Sequence, residues 1–242
     1  MKNVFFLFLL TVICSCSNDL ESRLDTLGTN IQGREIVKDN VIACAASNED
    51  SEKVSIYFYP RDGATNMQCY STNTANDDKN NYGNYKLINL PISDVFNGYL
   101  MKFDGQFDAE KWVIVTFEES GKIHLSNPIR LKHLSKETEY LPENIEIQTN
   151  TQMPIFTWQD GAYTDSKIYF QVVSNSQSNL LSGTYTFAKT FTYYNLNNVV
   201  LNITTNTPPE LQNETDYVFN LMGVSEDNWV NLFSIKPFAL QF

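Results

Sequence analysis

What most constrains this chain is the length and spacing of its apolar runs. They are short, rich in Val, Ile, Tyr and Phe, and each stops at turn-forming residues. Val54-Ser55-Ile56-Tyr57-Phe58-Tyr59 ends at Pro60, and Asp62-Gly63 follows as a turn. Trp112 to Phe117 and Ile123 to Leu125 flank Glu119-Ser120-Gly121-Lys122, the pattern of a hairpin. No window carries a sustained apolar stripe of 3.6-residue period with caps. The chain is therefore all-β, with strands at the spacing of sandwiches.

Length sets how many sandwiches there are. The 242 residues, less a leader at 1–15, are too many for one ordinary sandwich and suit two of about 100 residues each. The composition is globular, with 42% hydrophobic and 19% charged residues, 10 Gly and 8 Pro, which excludes collagenous and disordered classes. The formal charge of −11 repels phosphate backbones, so no nucleic-acid partner is expected. Polar residues with Gly28 and Gly33 mark 16–34 as a flexible tether. The N-terminal sandwich then covers 35–133 and the C-terminal one 145–242. The polar stretch 134–144, with Pro142, joins them.

Lys2 and the ten-residue apolar run Val4 to Ile13 form a signal peptide. Ten helical residues span about 15 Å, half of a bilayer's hydrocarbon thickness. The run closes on Ile13-Cys14-Ser15-Cys16, which resembles a bacterial lipobox. Small Ser15 before Cys16 favours Cys16 over Cys14 as the cysteine that is diacylated and becomes the new N-terminus. Ser17-Asn18-Asp19-Leu20-Glu21 looks like the surface-export signal of Bacteroidetes lipoproteins, and Asp25-Thr26-Leu27 matches their O-glycosylation sequon at Thr26. The resemblance implies a membrane partner reached through an N-terminal lipid, and an outer-membrane location facing the exterior.

Setting Cys14 and Cys16 aside leaves Cys44 and Cys69. A disulfide in an oxidising compartment and a pair of buried thiols on neighbouring strands both fit this remainder. Neither lies in a CxxC, and the histidines, His124 and His133, sit far along the chain, so neither a metal nor another cofactor is expected. The loop Asn73 to Asn81 carries Asp77-Asp78 but lacks the alternating ligands of an EF-hand and reads as solvated.

The C-terminal half carries a family resemblance. Leu211, Thr215 and Tyr217 have the L-x-x-x-T-x-Y spacing of the fibronectin type III strand-F region, where the Tyr forms a tyrosine corner. Trp158 matches the core Trp of strand B, Ile168 to Val172 strand C, and Val199 to Ile203 strand E. Ser225-Glu226-Asp227-Asn228 is the F–G turn, followed by a last strand from Val230 to Phe233. The alternating segment Tyr185 to Tyr193 suggests an extended hairpin. The resemblance implies two tandem immunoglobulin/fibronectin III-like β-sandwiches. The N-terminal one rests on strand pattern and on Ser126 to Leu131, a final strand after a bulge at Pro128.

Chemistry is sparse. His124 alternates with Ile123 and Leu125 and is expected to point outward. GxSxG, P-loop and HExxH patterns are absent from the sequence. Glu118-Glu119 and Asp77-Asp78 are adjacent, and adjacent strand side chains face opposite ways, so each pair makes a poor glycosidase dyad. Aromatic residues leave more room for recognition. Tyr194 and Trp229, beside turns, are the candidates for exposed contacts to a glycan, a surface protein or a partner subunit, while Trp229 reads equally well as a core residue of strand G. The Phe187, Phe191 and Tyr193 face reads as core. The expected function is non-catalytic binding. The alternatives are a structural spacer, which needs no ligand-sized pocket, and a hydrolase, which needs converging carboxylates with one raised pKa.

Overall fold

The computed structural model describes residues 26–193, 195–204 and 206–242. The leader, Cys14, Cys16 and Tyr194 lie outside the described residues. Among those described, no helix is long and apolar enough to cross a membrane.

The N-terminal sandwich begins with β1 (Ile36–Val41), β2 (Ala43–Ser47), β3 (Lys53–Phe58), β4 (Thr65–Ser71) and β5 (Lys86–Ile88). It continues with β6 (Ile92–Val95), β7 (Leu100–Gln106), β8 (Trp112–Glu119), β9 (Lys122–Ser126) and β10 (Ile129–Arg130). One sheet runs β1-β9-β8-β4-β5, and the other runs β2-β3-β7-β6. These are the G-F-C and A-B-E-D orders of an immunoglobulin-like sandwich, with β1 added parallel to β9. The expected hairpin joins β8 to β9 through Ser120 (φ 51°) and Gly121 (φ 78°), the left-handed pair of a type I′ turn. Pro128 breaks the last strand as expected. β9 and β10 both pair with β8, and the Ser126 hydroxyl accepts from the Val115 N–H (3.0 Å) where the strand leaves the ladder.

The C-terminal sandwich contains β11 (Glu139–Tyr140), β12 (Ile145–Gln148), β13 (Ile155–Trp158), β14 (Ser166–Asn175) and β15 (Leu180–Thr186). β16 (Thr190–Thr192), β17 (Val199–Asn202), β18 (Asp216–Ser225) and β19 (Val230–Ala239) complete it. The sheets are β12-β13-β16 and β11-β19-β18-β14-β15-β17, a fibronectin III-like A-B-E sheet facing C′-C-F-G with a strand added at each edge. Tyr217 is buried, and its hydroxyl accepts the Gln212 N–H at 2.9 Å, the tyrosine corner that the spacing implies. Trp158 is buried on β13 as expected.

Strand E is not Val199 to Ile203. It is β16, which pairs β13, whereas β17 pairs the outer edge of β15. The segment Tyr185 to Tyr193 is not an extended hairpin either. It leaves one sheet at Thr186 and joins the other at Thr190, so Phe187 is exposed at the crossing while Phe191 and Tyr193 enter the core.

The four sheets stack as layers, with three apolar clusters in the gaps between them and a fourth on the outer face of the β8 sheet. Val54, Ile56 and Phe58 of β3 meet Val113, Val115 and Phe117 of β8 inside the N-terminal sandwich. On the other face of the β2-β3-β7-β6 sheet, Ala46, Tyr57 and Leu100 meet Phe170, Met222 and Phe233 of the C-terminal sandwich. The opposite face of that second sheet covers Phe156, Trp158 and Phe191. The two sandwiches therefore lie face to face rather than end to end. Burial on both faces explains why Tyr169–Ser174, Leu221–Ser225 and Val230–Ser234 are buried without alternation.

The fourth cluster corrects the reading of the tether from residue 26 onward. Thr26 caps α1 (Leu27–Asn30), and Leu27 is buried with Tyr85 and Ile114 against the outer face of the β8 sheet. A side chain on Gly28 would meet the Gly83 backbone at 3.1 Å, so glycine permits the close approach of α1 to the loop before β5. This layer covers Ile123 and Leu125, which turns the alternation of β9 inside out. His124 is buried rather than outward, stacked on Phe117 with ring centroids 5.2 Å apart. The connector at 134–144 is likewise folded, since β11 pairs with β19.

Candidate functional site

Trp229 and the F–G turn were expected to offer exposed contacts; they form the joint between the sandwiches. Ser225-Glu226-Asp227-Asn228 turns tightly, with Asn228 at φ 61° and the Ser225 hydroxyl donating to Asp227 at 2.6 Å. Trp229 follows directly and is 0% exposed, inserted into the core of the N-terminal sandwich beside Ala45 and Leu131. Its indole N–H donates to the Lys136 carbonyl at 2.8 Å, so its polar end is satisfied within the connector. The Ala45 N–H donates to the Asn228 carbonyl (3.0 Å), and the Arg130 N–H to the Asp227 carbonyl (2.9 Å). The turn thus covers the free edge of β2, which would otherwise expose unpaired backbone groups. Lys132 and Asp227 pair at 2.6 Å across the same joint.

A second contact lies on the β6–β7 turn. Phe96, Asn97 and Gly98 all have positive φ, at 52°, 53° and 86°. A bulky residue rarely adopts this conformation, which persists only where surrounding contacts hold it. Here the Asn97 amide donates to the Asn179 side chain at 2.7 Å and the Tyr99 hydroxyl to the Ile203 carbonyl at 2.7 Å, both on the C-terminal sandwich. An apolar groove of about 290 Å³ opens beside Phe96, lined also by Tyr57, Phe233 and Ile235.

The larger cleft, about 800 Å³, lies where the connector crosses the end of β2. The β2–β3 turn, the loop after β7 and residues 133–140 form its walls. Reciprocal bonds hold two of them together. The Ser47 N–H donates to the Thr138 hydroxyl (3.0 Å) and the Thr138 N–H to the Ser47 hydroxyl (2.8 Å). The Thr138 hydroxyl donates onward to the Val230 carbonyl, and the Tyr140 hydroxyl to the Ser47 carbonyl. The walls are therefore preformed. Leu134 stands 65% exposed on the lining, among Glu49, Glu52, Asp108 and Glu137. His133 is 8% exposed, and its Nε2–H donates to the Phe107 carbonyl at 2.9 Å.

The remaining candidate residues do not converge there. Cys44 and Cys69 are free thiols on opposite sides of the inner N-terminal sheet, so they do not pair. Cys44 points at the C-terminal sandwich, 3.9 Å from the Met222 sulfur, while Cys69 faces the N-terminal core. Thr26 is not displayed for glycosylation: it is 8% exposed, and its oxygen accepts from the Thr29 N–H at 3.2 Å. Asp77 and Asp78 accept from the backbone N–H groups of Thr74 and Asn80 within their own loop. Glu118 and Glu119 do part company, Glu118 to Arg34 (2.8 Å) and Glu119 to Arg61 (2.7 Å). Among the described residues, no cluster of three or more His, Cys, Asp or Glu has the arrangement of a metal site.

Among the described residues, three carboxylates are clearly moved from their ordinary acidity, all downward. Burial pushes Glu110 up, but hydrogen bonds from the Ser135 hydroxyl and N–H, with Arg130 nearby, hold it below the usual carboxylate range. The hydrogen bond from Arg34 lowers Glu118, and the hydrogen bond from Lys136 lowers Asp165. A general acid needs the opposite shift.

No protein-family model and no curated protein matches the chain. Among solved structures, the FN1–FN3 domains of chicken CNTN1 align with 86% of the chain and 69% of their own, at 9% identity and a TM-score of 0.31. The chicken interferon gamma receptor alpha chain aligns with 84% and 98%, at 13% identity and 0.28. The BSP domain of a biofilm associated protein aligns with 84% of this chain but 29% of that one, at 14% identity and 0.27. At these scores the fold assignment stands on the chain's own sheet orders and its tyrosine corner.

Proposed function

We propose that this chain is a non-catalytic binding module held at the cell envelope by a lipid on Cys16, with the cleft at the sandwich junction as its recognition surface. The observation that carries the reading is the cleft itself. It has the volume of a ligand site, and its walls are fixed by the Ser47–Thr138 bonds before any partner arrives. A spacer has no use for such a feature. A hydrolase has a use for its acids but also needs a carboxyl kept protonated, and the carboxylates that the fold clearly moves are all lowered.

The test is a binding screen of the purified chain against glycan and surface-protein panels, beside Leu134→Ser. A ligand that binds the native chain and is lost on this substitution supports the reading. Turnover of a glycan or peptide that disappears with Glu52→Gln or Glu137→Gln replaces it with the hydrolase. Acyl labelling checks the anchor separately: Cys16→Ser abolishes it, and retention in that variant removes Cys16 from the account.

A further inference from the structure

Charge is sorted around the cleft. The basic residues of the strand and connector beside it are each drawn away by a partner. Arg130 pairs with Glu110 at 3.1 Å, Lys132 with Asp227 at 2.6 Å, and Lys136 with Asp165 at 2.5 Å while lying over the Tyr163 ring. On the lining, Glu49, Glu52 and Glu137 have no ion-pair partner among the described residues, and Asp108 has only Lys111 at 3.7 Å. Lys53 is the one lysine or arginine on that lining among the described residues. The result is an open cavity with excess negative charge in a chain that is already acidic.

His133 adds an observation of a different kind. Its Nε2 faces the Phe107 carbonyl, which only accepts, so that nitrogen carries a proton. The ring's Nδ1 is buried and has no partner among the described residues. The exposed carboxylates of Glu49, Glu52 and Glu137 on this wall call for a cationic donor. The Tyr140 hydroxyl registers the same field: burial first, then Glu49 and Asp50, push it up to about 12.

We propose that the cleft binds a basic, partly apolar peptide segment of a partner protein, with Lys or Arg side chains against Glu49, Glu52 and Glu137 and an apolar side chain on Leu134. This rests on the binding-module reading and names its ligand class. Leu134 and Phe107 on the lining distinguish such a segment from a simple polyamine, which brings charge without an apolar side chain. Acids on the rim speed encounter and select the sign of the partner, while the apolar contact slows release.

The probe is a fluorescently labelled Lys-Leu-Lys-Leu-Lys peptide, titrated by anisotropy into the full-length chain in neutral detergent. Saturable binding is expected, weakened about tenfold by Glu52→Gln/Glu137→Gln, less by Leu134→Ser, and more strongly at raised salt. A distal control, Glu210→Gln/Asp216→Asn at the far end of the C-terminal sandwich, leaves it unchanged. Equal weakening by that control, competition by spermidine that ignores Leu134→Ser, or no saturable binding overturns the proposal. Neutral glycans lost on Leu134→Ser but indifferent to the acid pair would sink the cationic ligand and keep the binding module. If no probe or panel ligand responds to any cleft substitution, both fall.

Discussion

Tyr217 and Trp229 show how far a single residue's spacing carries and where it stops. The Tyr217 corner is local, closed by the Gln212 N–H five residues upstream, so the L-x-x-x-T-x-Y pattern contains everything that defines it. Tyr217→Phe should cost about 1 kcal/mol in chemical denaturation, and more to the extent that the Gln212 N–H is left unsatisfied. An unchanged midpoint would deny the corner its role. Trp229 follows a turn just as legible, but what buries it is the other sandwich, nearly two hundred positions away at Ala45. No local pattern distinguishes an exposed Trp from one that fills a distant core. The cysteines belong with it. Burial pushes Cys44 up to about 12 and raises Cys69 too, so both thiols should resist iodoacetamide in the native chain at neutral pH. Label should enter at both positions only after unfolding, without prior reduction. A reduction-dependent gain of label at Cys44 and Cys69 would restore the disulfide.

Elements defined by neighbouring strands were legible, and those defined by distant ones were not. The β8–β9 hairpin and the Pro128 break follow from turn chemistry within a few residues. Strand E could not be chosen by propensity, because Val199-Val200-Leu201 has more strand character than Thr190-Phe191-Thr192. The deciding factor is the crossing between sheets after Thr186. One signal did point to the stacked sandwiches. Stretches such as Tyr169 to Val173 and Leu221 to Val224 run apolar with little alternation, as strands covered on both faces do. The connector is the element on which the cleft depends. Thr138→Val preserves shape but removes the hydroxyl that serves Ser47 and Val230, and should cost about 1–2 kcal/mol in urea. No loss would mean that the wall stands without it. The connector also carries an acid-side sensitivity through Lys136 and Asp165. Asp165 has a folded pKa below its unfolded value, so its contribution is full above about pH 4 and is lost as pH falls through the folded value. Asp165→Asn should flatten that part of the acid-unfolding profile, and an identical profile in the variant would contradict it.

At the scale of the whole molecule, the two sandwiches form one body. Domains in a chain move independently unless their interface is large and apolar. This interface is apolar and continuous, with Tyr57 stacked near Phe233 at 6.1 Å, Leu100 against the C-terminal sheet, and Trp229 plugged into the neighbouring core. The junction cleft keeps its shape only because that joint does. Losing the Trp229 side chain empties a buried volume shared by both units, at a cost of about 3–5 kcal/mol. The most direct measurement is differential scanning calorimetry of the native chain and Trp229→Ala. One cooperative transition for the native chain, splitting into two at lower temperature in the variant, is the result expected. Two transitions in the native chain, with Trp229→Ala shifting only the C-terminal one, would contradict the claim that the sandwiches are a single rigid unit.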